Sequence, residues 1–204
     1  MKRLLLATLN QGKIREFAEA FAETGIEVVG LDVIPAYEEV DETGETFEAN
    51  ARLKADYFST LCEMPVLADD SGLEVDALGG EPGVRSARYG GPGLDTAGRN
   101  RKLLEALEGV AEAERTARFR CVLAFARAGE TLATFEGVVE GQILEAPQGD
   151  DGFGYDPLFF HPESGCTTAQ LSMERKRLIS HRGAAIKAFL EALRRGDERL
   201  AGVG

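Results

Sequence analysis

The stretch VLADDSGLEVDALGG, residues 66–80, starts as an apolar run and meets two adjacent acids, Asp69 and Asp70, followed at once by Ser71 and Gly72. A short apolar run bounded by turn residues reads as a buried strand, here PVLADD, ending at the acids. What precedes it fixes its place in a fold. Residues 2–9 (KRLLLATL) read as a first buried strand, and 14–23 (IREFAEAFAE) as a helix with Ile14, Phe17, Ala18 and Phe21 on one face. Residues 26–34 (IEVVGLDVI) read as a second strand, and a helix from about Thr46 turns Phe47, Leu53, Phe58 and Leu61 inward. The result is a βαβαβ first half, which favours an α/β fold with a mixed or parallel sheet flanked by helices.

Downstream, residues 79–93 (GGEPGVRSARYGGPG) form a long Gly- and Pro-rich loop, and 95–108 return to helix. Two strand-like runs, ARFRCVLAFARA and TLATFEGVVEGQI, are separated by Gly129 and Glu130 and read as an antiparallel hairpin. The loop EAPQGDDGFGYDP leads to a short apolar segment, PLFF. Thr167 and Gln170 have capping-box spacing. A last helix runs from near Ser180 to Gly196 with Ile186, Phe189, Leu190 and Leu193 on one face.

The 204 residues, 44% hydrophobic and 28% charged, make an ordinary globular chain with room for one large domain or two small lobes sharing a core. The opening MKRLLLATLN meets Asn10 and Lys13 too early, and lacks the small-residue cleavage site, for a signal peptide. No segment approaches the roughly 18 apolar residues of a membrane span. Cys62, Cys121 and Cys166 are too scattered for a disulfide scaffold or a zinc site, as expected of a reduced cytoplasm. A formal charge of −12 argues against a broad nucleic-acid footprint, which needs clustered Lys and Arg. Any polyanionic partner is therefore a small molecule, held by a local basic pocket or through a metal.

Several stretches have the chemistry for such a ligand. TLNQGK places Thr8, Asn10 and Lys13 at a β-to-α turn, where helix N-terminal amides and a lysine suit phosphate; an N-cap and an ordinary surface lysine would look the same. In ETGETFEANARLK, Glu42 precedes a helix on which Asn50 and Lys54 share a face, as they would on any polar helix surface. Asp69 and Asp70, adjacent on a strand, point to opposite faces, so only one can serve a given cleft. Carboxylates at that edge suit Mg2+, which takes one or two of them with phosphate oxygens and water; an acidic turn is the competing reading. GFGYDP, from Gly152 to Pro157, lets backbone approach a ligand and offers Phe153 or Tyr155 for stacking. RKRLISHRG places Lys176, His181 and Arg182 about the start of the last helix, where positive charge opposes the macrodipole.

Taken in order, ATLNQGKIREF, ETGETFEANARLKA, LADDSGLEVDALGGEPGVRSARY, GFGYDPLFF and ISHRGAAIKAF resemble the inosine triphosphate pyrophosphatase family, the dITP/XTP pyrophosphatases. The resemblance spans essentially the whole chain. It implies one domain over residues 1–204, with an elongated mixed sheet, two lobes and a cleft between them, and a cytoplasmic homodimer. It also implies Mg2+-dependent hydrolysis of non-standard purine nucleoside triphosphates, dITP, ITP and XTP, to monophosphate and pyrophosphate. Carried over by motif, Thr8, Asn10, Lys13 and Lys54 hold the triphosphate, while Glu42 and Asp70 position the metal and its water with Asp70 as general base. Asp69 and Ser71 lie close by. Phe153, within Gly154, Tyr155 and Asp156, stacks on the purine, and Asp156, Lys176, His181 and Arg182 line the base pocket. Donors from His181 or Arg182 favour a base with a carbonyl at C6 over adenine. Leu9, where the family usually has a small residue, and Asp150 and Asp151 depart from the pattern. The rival readings are a pyrimidine-directed pyrophosphatase of the same fold and a non-catalytic nucleotide sensor.

Overall fold

The computed structural model describes residues 2–203, the side chains of Met173 and Arg177 excepted. Seven strands form one mixed sheet in the order β2-β1-β3-β4-β5-β6-β7. They are β1 (Lys2–Leu6), β2 (Ile26–Val29), β3 (Val66–Val75), β4 (Thr116–Arg127), β5 (Glu130–Ile143), β6 (Phe159–His161) and β7 (Cys166–Thr167). The helices are α1 (Gln11–Phe21), α2 (Phe47–Thr60), α3 (Thr96–Ala106), α4 (Met173–Ile179) and α5 (His181–Arg194). β1 pairs parallel with β2 and with β3, bringing Leu4 opposite Val28 and Leu5 opposite Val66. β6 pairs antiparallel with β5 and with β7.

The chain divides into two compact units. The first comprises residues up to Asp70, Cys121–Gly137 and the chain from Arg182 on. Its core gathers Leu4, Leu6, Leu67 and Phe125 from the strands with Phe17 and Phe21 of α1 and Phe189 of α5. The Phe21 and Phe189 rings lie 5.6 Å apart and tilted, and Phe135 meets Phe189 edge-on at 5.2 Å. The second unit comprises Ser71–Arg120 and Val138–His181. Its core joins Leu73, Val75, Leu103, Leu107, Phe119, Leu158 and Phe159.

Helix starts follow the local chemistry of the chain. Asn10 caps α1, its side-chain oxygen accepting from the amides of Gly12 and Lys13, and Thr46 caps α2 by accepting from Ala49. The capping box at Thr167 and Gln170 is formed, on a 3-10 turn at Thr168–Gln170.

Four expectations change. β2 stops at Val29, and Leu31–Val33 form a 3-10 turn after Gly30. The inward stripe of α2 is Phe47, Ala51, Ala55 and Phe58, an unbroken helical repeat, which leaves Leu53 and Leu61 exposed. On α1, Ala18 likewise faces water beside the buried Phe17 and Phe21. The hairpin turn is Ala128–Gly129, with Glu130 already in β5; φ is 51° at Ala128 and 84° at Gly129. A two-residue turn with both φ positive matches the right-handed twist of its flanking strands.

The strand that starts at Val66 also runs further than its apolar run predicts. β3 passes through both acids and Gly72 to Val75 and is buried for most of its length. Strands buried on both faces are nearly continuous apolar runs, so two consecutive aspartates in one require partners on each side.

Candidate functional site

For Asp69 the partners come from α1, α5 and β4 of the first unit. Asp69 Oδ1 accepts from Lys13 Nζ of α1. Its Oδ2 accepts from Arg182 Nε of α5 at 3.0 Å and meets Cys121 Sγ of β4 at 3.1 Å. Arg182 Nη1 donates in turn to Glu16 Oε2 at 2.9 Å. Burial alone would lift the Asp69 carboxyl, but Arg182 and Lys13 outweigh it and hold it well below the usual carboxylate range. Burial works against the Arg182 charge, yet Asp69 dominates and raises that group further. The Cys121 thiol, pushed well up by burial and then by Asp69, stays protonated.

Asp70 takes the other face of the strand and a different cation. Lys54 Nζ, on α2, donates to Asp70 Oδ1 at 3.1 Å, to the Asp69 carbonyl at 2.9 Å and to Glu42 Oε1 at 2.6 Å. The lysine therefore joins the Glu42 loop, α2 and β3. Burial lifts the Asp70 carboxyl, Lys54 draws it down, and Glu42 and Asp69 push it up again, so it lies above its ordinary value. For Lys54, the carboxylates of Asp70 and Glu42 outweigh burial and raise its pKa. Asp70 Oδ2 is buried and has no hydrogen-bond partner among the described residues. At the turn into α1, Thr8 Oγ1 accepts from the Asn10 amide at 3.1 Å, and Leu9 is 60% exposed. Thr8, Asn10, Lys13, Glu42, Lys54, Asp70 and Arg182 thus belong to the first unit, and Ser71 is the next residue on β3.

The second unit gathers the rest. Asp156 Oδ2 accepts from the Phe153 amide at 2.7 Å and from Lys176 Nζ, and its Oδ1 accepts from Thr168 Oγ1 at 2.9 Å. Lys176 Nζ also stands 4.6 Å from the centroid of the exposed Phe153 ring. His181 stacks on Phe119 at 5.0 Å, the rings 16° from parallel. A small pocket is lined by residues that include Phe119, Asp156, Thr168, Lys176, Ile179 and His181. Tyr155 points away from this set into the unit's core, where its hydroxyl donates to the Ser86 carbonyl at 2.9 Å and burial pushes its pKa up. Gly154, at φ 62°, supplies a left-handed turn within the loop.

Glu16, Cys121, Phe119 and Thr168 were absent from the sequence-derived set. Only Glu16 carries a local signal, one helical turn after Lys13 on α1. Cys121 and Phe119 come from a run whose pattern reads simply as core, and Thr168 lies inside the capping box at Thr167 and Gln170, which gives no sign of its bond to Asp156. Among the described residues, no group of three or more His, Cys, Asp or Glu side chains is arranged to hold a metal ion. No helix there is long and apolar enough to cross a membrane.

Known proteins are similar to this chain over most of its length. A dITP/XTP pyrophosphatase of Geobacillus kaustophilus is 52% identical over 186 residues, 91% of each chain. One of Bacillus subtilis is 46% identical over 193 residues, covering 95% of this chain and 98% of its own. Among solved structures, a HAM1 protein from Coxiella burnetii superposes with a TM-score of 0.88 at 38% identity, over 96% of this chain and all of its own. The model of the Ham1 family matches residues 4–192, nearly every element described above, and the chain belongs to that family.

Proposed function

We propose that this protein hydrolyses non-standard purine nucleoside triphosphates, dITP, ITP and XTP, to the monophosphate and pyrophosphate. Support comes from the relatives' names and from the chemistry of the two side-chain sets. The observation that carries the reading is Asp70: a buried carboxylate raised above its ordinary value, bonded through one oxygen to Lys54 and with the other unpartnered.

Thr8, Asn10, Lys13 and Lys54 take the triphosphate, the two ammonium groups offsetting the charge of the pyrophosphate as it leaves. Asp70 accepts a proton from water as the water oxygen bonds to the α-phosphorus and the bond from that phosphorus to the bridging oxygen breaks. A base nearer neutrality than an ordinary aspartate suits that transfer. The orphaned Asp70 oxygen and the Glu42 carboxylate are hard donors of the kind Mg2+ takes together with phosphate oxygens and water. When bound there, the cation would lower the pKa of water and neutralise phosphate charge. Phe153 stacks on the purine, with Asp156, Lys176 and His181 about its edge and Gly154 and Tyr155 shaping the loop that carries it, while Arg182 holds Asp69 beside Asp70 and Ser71. We read the chain as one domain of two lobes, cytoplasmic and homodimeric.

The test is release of pyrophosphate from a panel of nucleoside triphosphates with Mg2+. dITP, ITP and XTP are expected to lead; preference for a pyrimidine nucleotide, or binding without release, would overturn the reading. Asp70→Asn should lower kcat by about 10²-fold or more while nucleotide still binds. Wild-type kcat in that variant would remove Asp70 as the base.

A further inference from the structure

The loop that carries Glu42 has neither helix nor strand, and α2 pins it on both sides of that residue. The Glu38 amide donates to Tyr57 Oη at 2.9 Å, and the Gly44 amide donates to Asn50 Oδ1 at 2.7 Å. We propose that Asn50 is a positioning residue for the reaction: by holding Gly44 it fixes the loop so that the Glu42 carboxylate meets Lys54. The inference rests on the function proposed above and adds a residue to it.

Three observations carry it. Asn50 is completely buried, yet its Nδ2 donor has no acceptor among the described residues, so the amide is only half used. An asparagine is a poor choice for a helix interior, where it competes with the backbone for hydrogen bonds. The same helix uses alanine at Ala49, Ala51 and Ala55. Nor is Asn50 needed to start α2, because Thr46 already caps it. Its one evident task is to accept from Gly44.

The loop side fits just as closely. A Cβ at Gly44 would stand 2.7 Å from Ala49 Cβ and 2.7 Å from Asn50 Oδ1, so only glycine brings the backbone near enough to make the bond. Lys54 follows Asn50 by one turn and shares its face. A single helix face thus holds the loop and presents the ammonium that Glu42 Oε1 meets at 2.6 Å. With the clamp removed, the nucleotide keeps its lysines but Glu42 loses its station. The reacting geometry should then suffer more than affinity.

Asn50→Ala tests this with two independent readouts. Hydrogen exchange at the Gly44 amide should rise about tenfold or more, because its acceptor is gone. The kcat for dITP should fall on the order of tenfold to 100-fold, while KM stays within about twofold and thermal stability is nearly unchanged. Gly44→Ala attacks the same contact from the other side, and the double variant should be little worse than either single one, as for two halves of one interaction. Unchanged Gly44 protection in Asn50→Ala, wild-type kcat, or an effect confined to KM would overturn the role of Asn50 alone. A wild-type protein that releases no pyrophosphate from any nucleotide would overturn the parent reading and this one with it.

Discussion

Two neighbouring aspartates on one strand meet opposite electrostatic environments, and stability should report the difference. Asp69 has a folded pKa well below its unfolded value of about 3.9. Its ion pairs therefore add stability above that value and lose it as pH falls through the folded pKa. Asp69→Asn leaves Arg182 buried without the Asp69 carboxylate, and removing one partner of a buried pair costs about 3–5 kcal/mol. We expect that loss in urea denaturation at neutral pH, constant down to about pH 4 and shrinking below it as the wild-type carboxyl takes up its proton. An equal loss at pH 3, or none at pH 7, would show that the charge on Asp69 is not what holds Arg182. Asp70 has the opposite sign: its folded pKa is raised, so its contribution is full below the unfolded value and lost as pH rises through the folded one. The uncharged Asp70→Asn side chain should accordingly leave the protein at least as stable as wild type at neutral pH, separating its catalytic loss from any folding defect.

At the scale of elements, the features legible in the sequence were those whose cause is local. The caps at Asn10 and Thr46 and the box at Thr167 and Gln170 need only residues two or three positions apart. The continuation of β3 past the acids is not legible locally, because the cations that neutralise Asp69 come from positions 13 and 182 and the thiol that meets it from position 121, all remote in the chain. On α2, alanine is equally at home inside or outside a helix face, so hydrophobicity alone favours Leu53 and Leu61 over Ala51 and Ala55, which are the buried pair. The β4–β5 turn retains a local conflict. Ala128 is exposed and sits at φ 51°, a region that costs an L-residue with a Cβ roughly 1–2 kcal/mol. Asn tolerates it better, and Asn-Gly is the preferred pair for a turn with both φ positive. Ala128→Asn should therefore raise the unfolding free energy by about 0.5–1 kcal/mol without altering turnover. A destabilised variant would show that the turn is held by its surroundings, such as the Gly129 amide on Ser59 Oγ at 2.9 Å, and not by its own preference.

For the molecule as a whole, charge sets a problem that the two lysines solve only locally. The chain carries −12 and is proposed to take a polyanion. Lys13 and Lys54 are each paired with carboxylates, so attraction for a phosphate chain begins only at short range. Salt separates the two ranges. The screening length falls from about 30 Å at 10 mM to about 8 Å at 150 mM, which quenches repulsion from distant acids but barely touches an ammonium in contact with phosphate. Enzymes whose net field steers an oppositely charged substrate lose rate steeply with salt. Here kcat/KM for dITP, at fixed free Mg2+, should instead hold steady or rise about twofold to threefold between those two salt concentrations. A steep fall would mean that positive potential dominates the approach despite the net charge, and that the lysine ion pairs open before the nucleotide arrives.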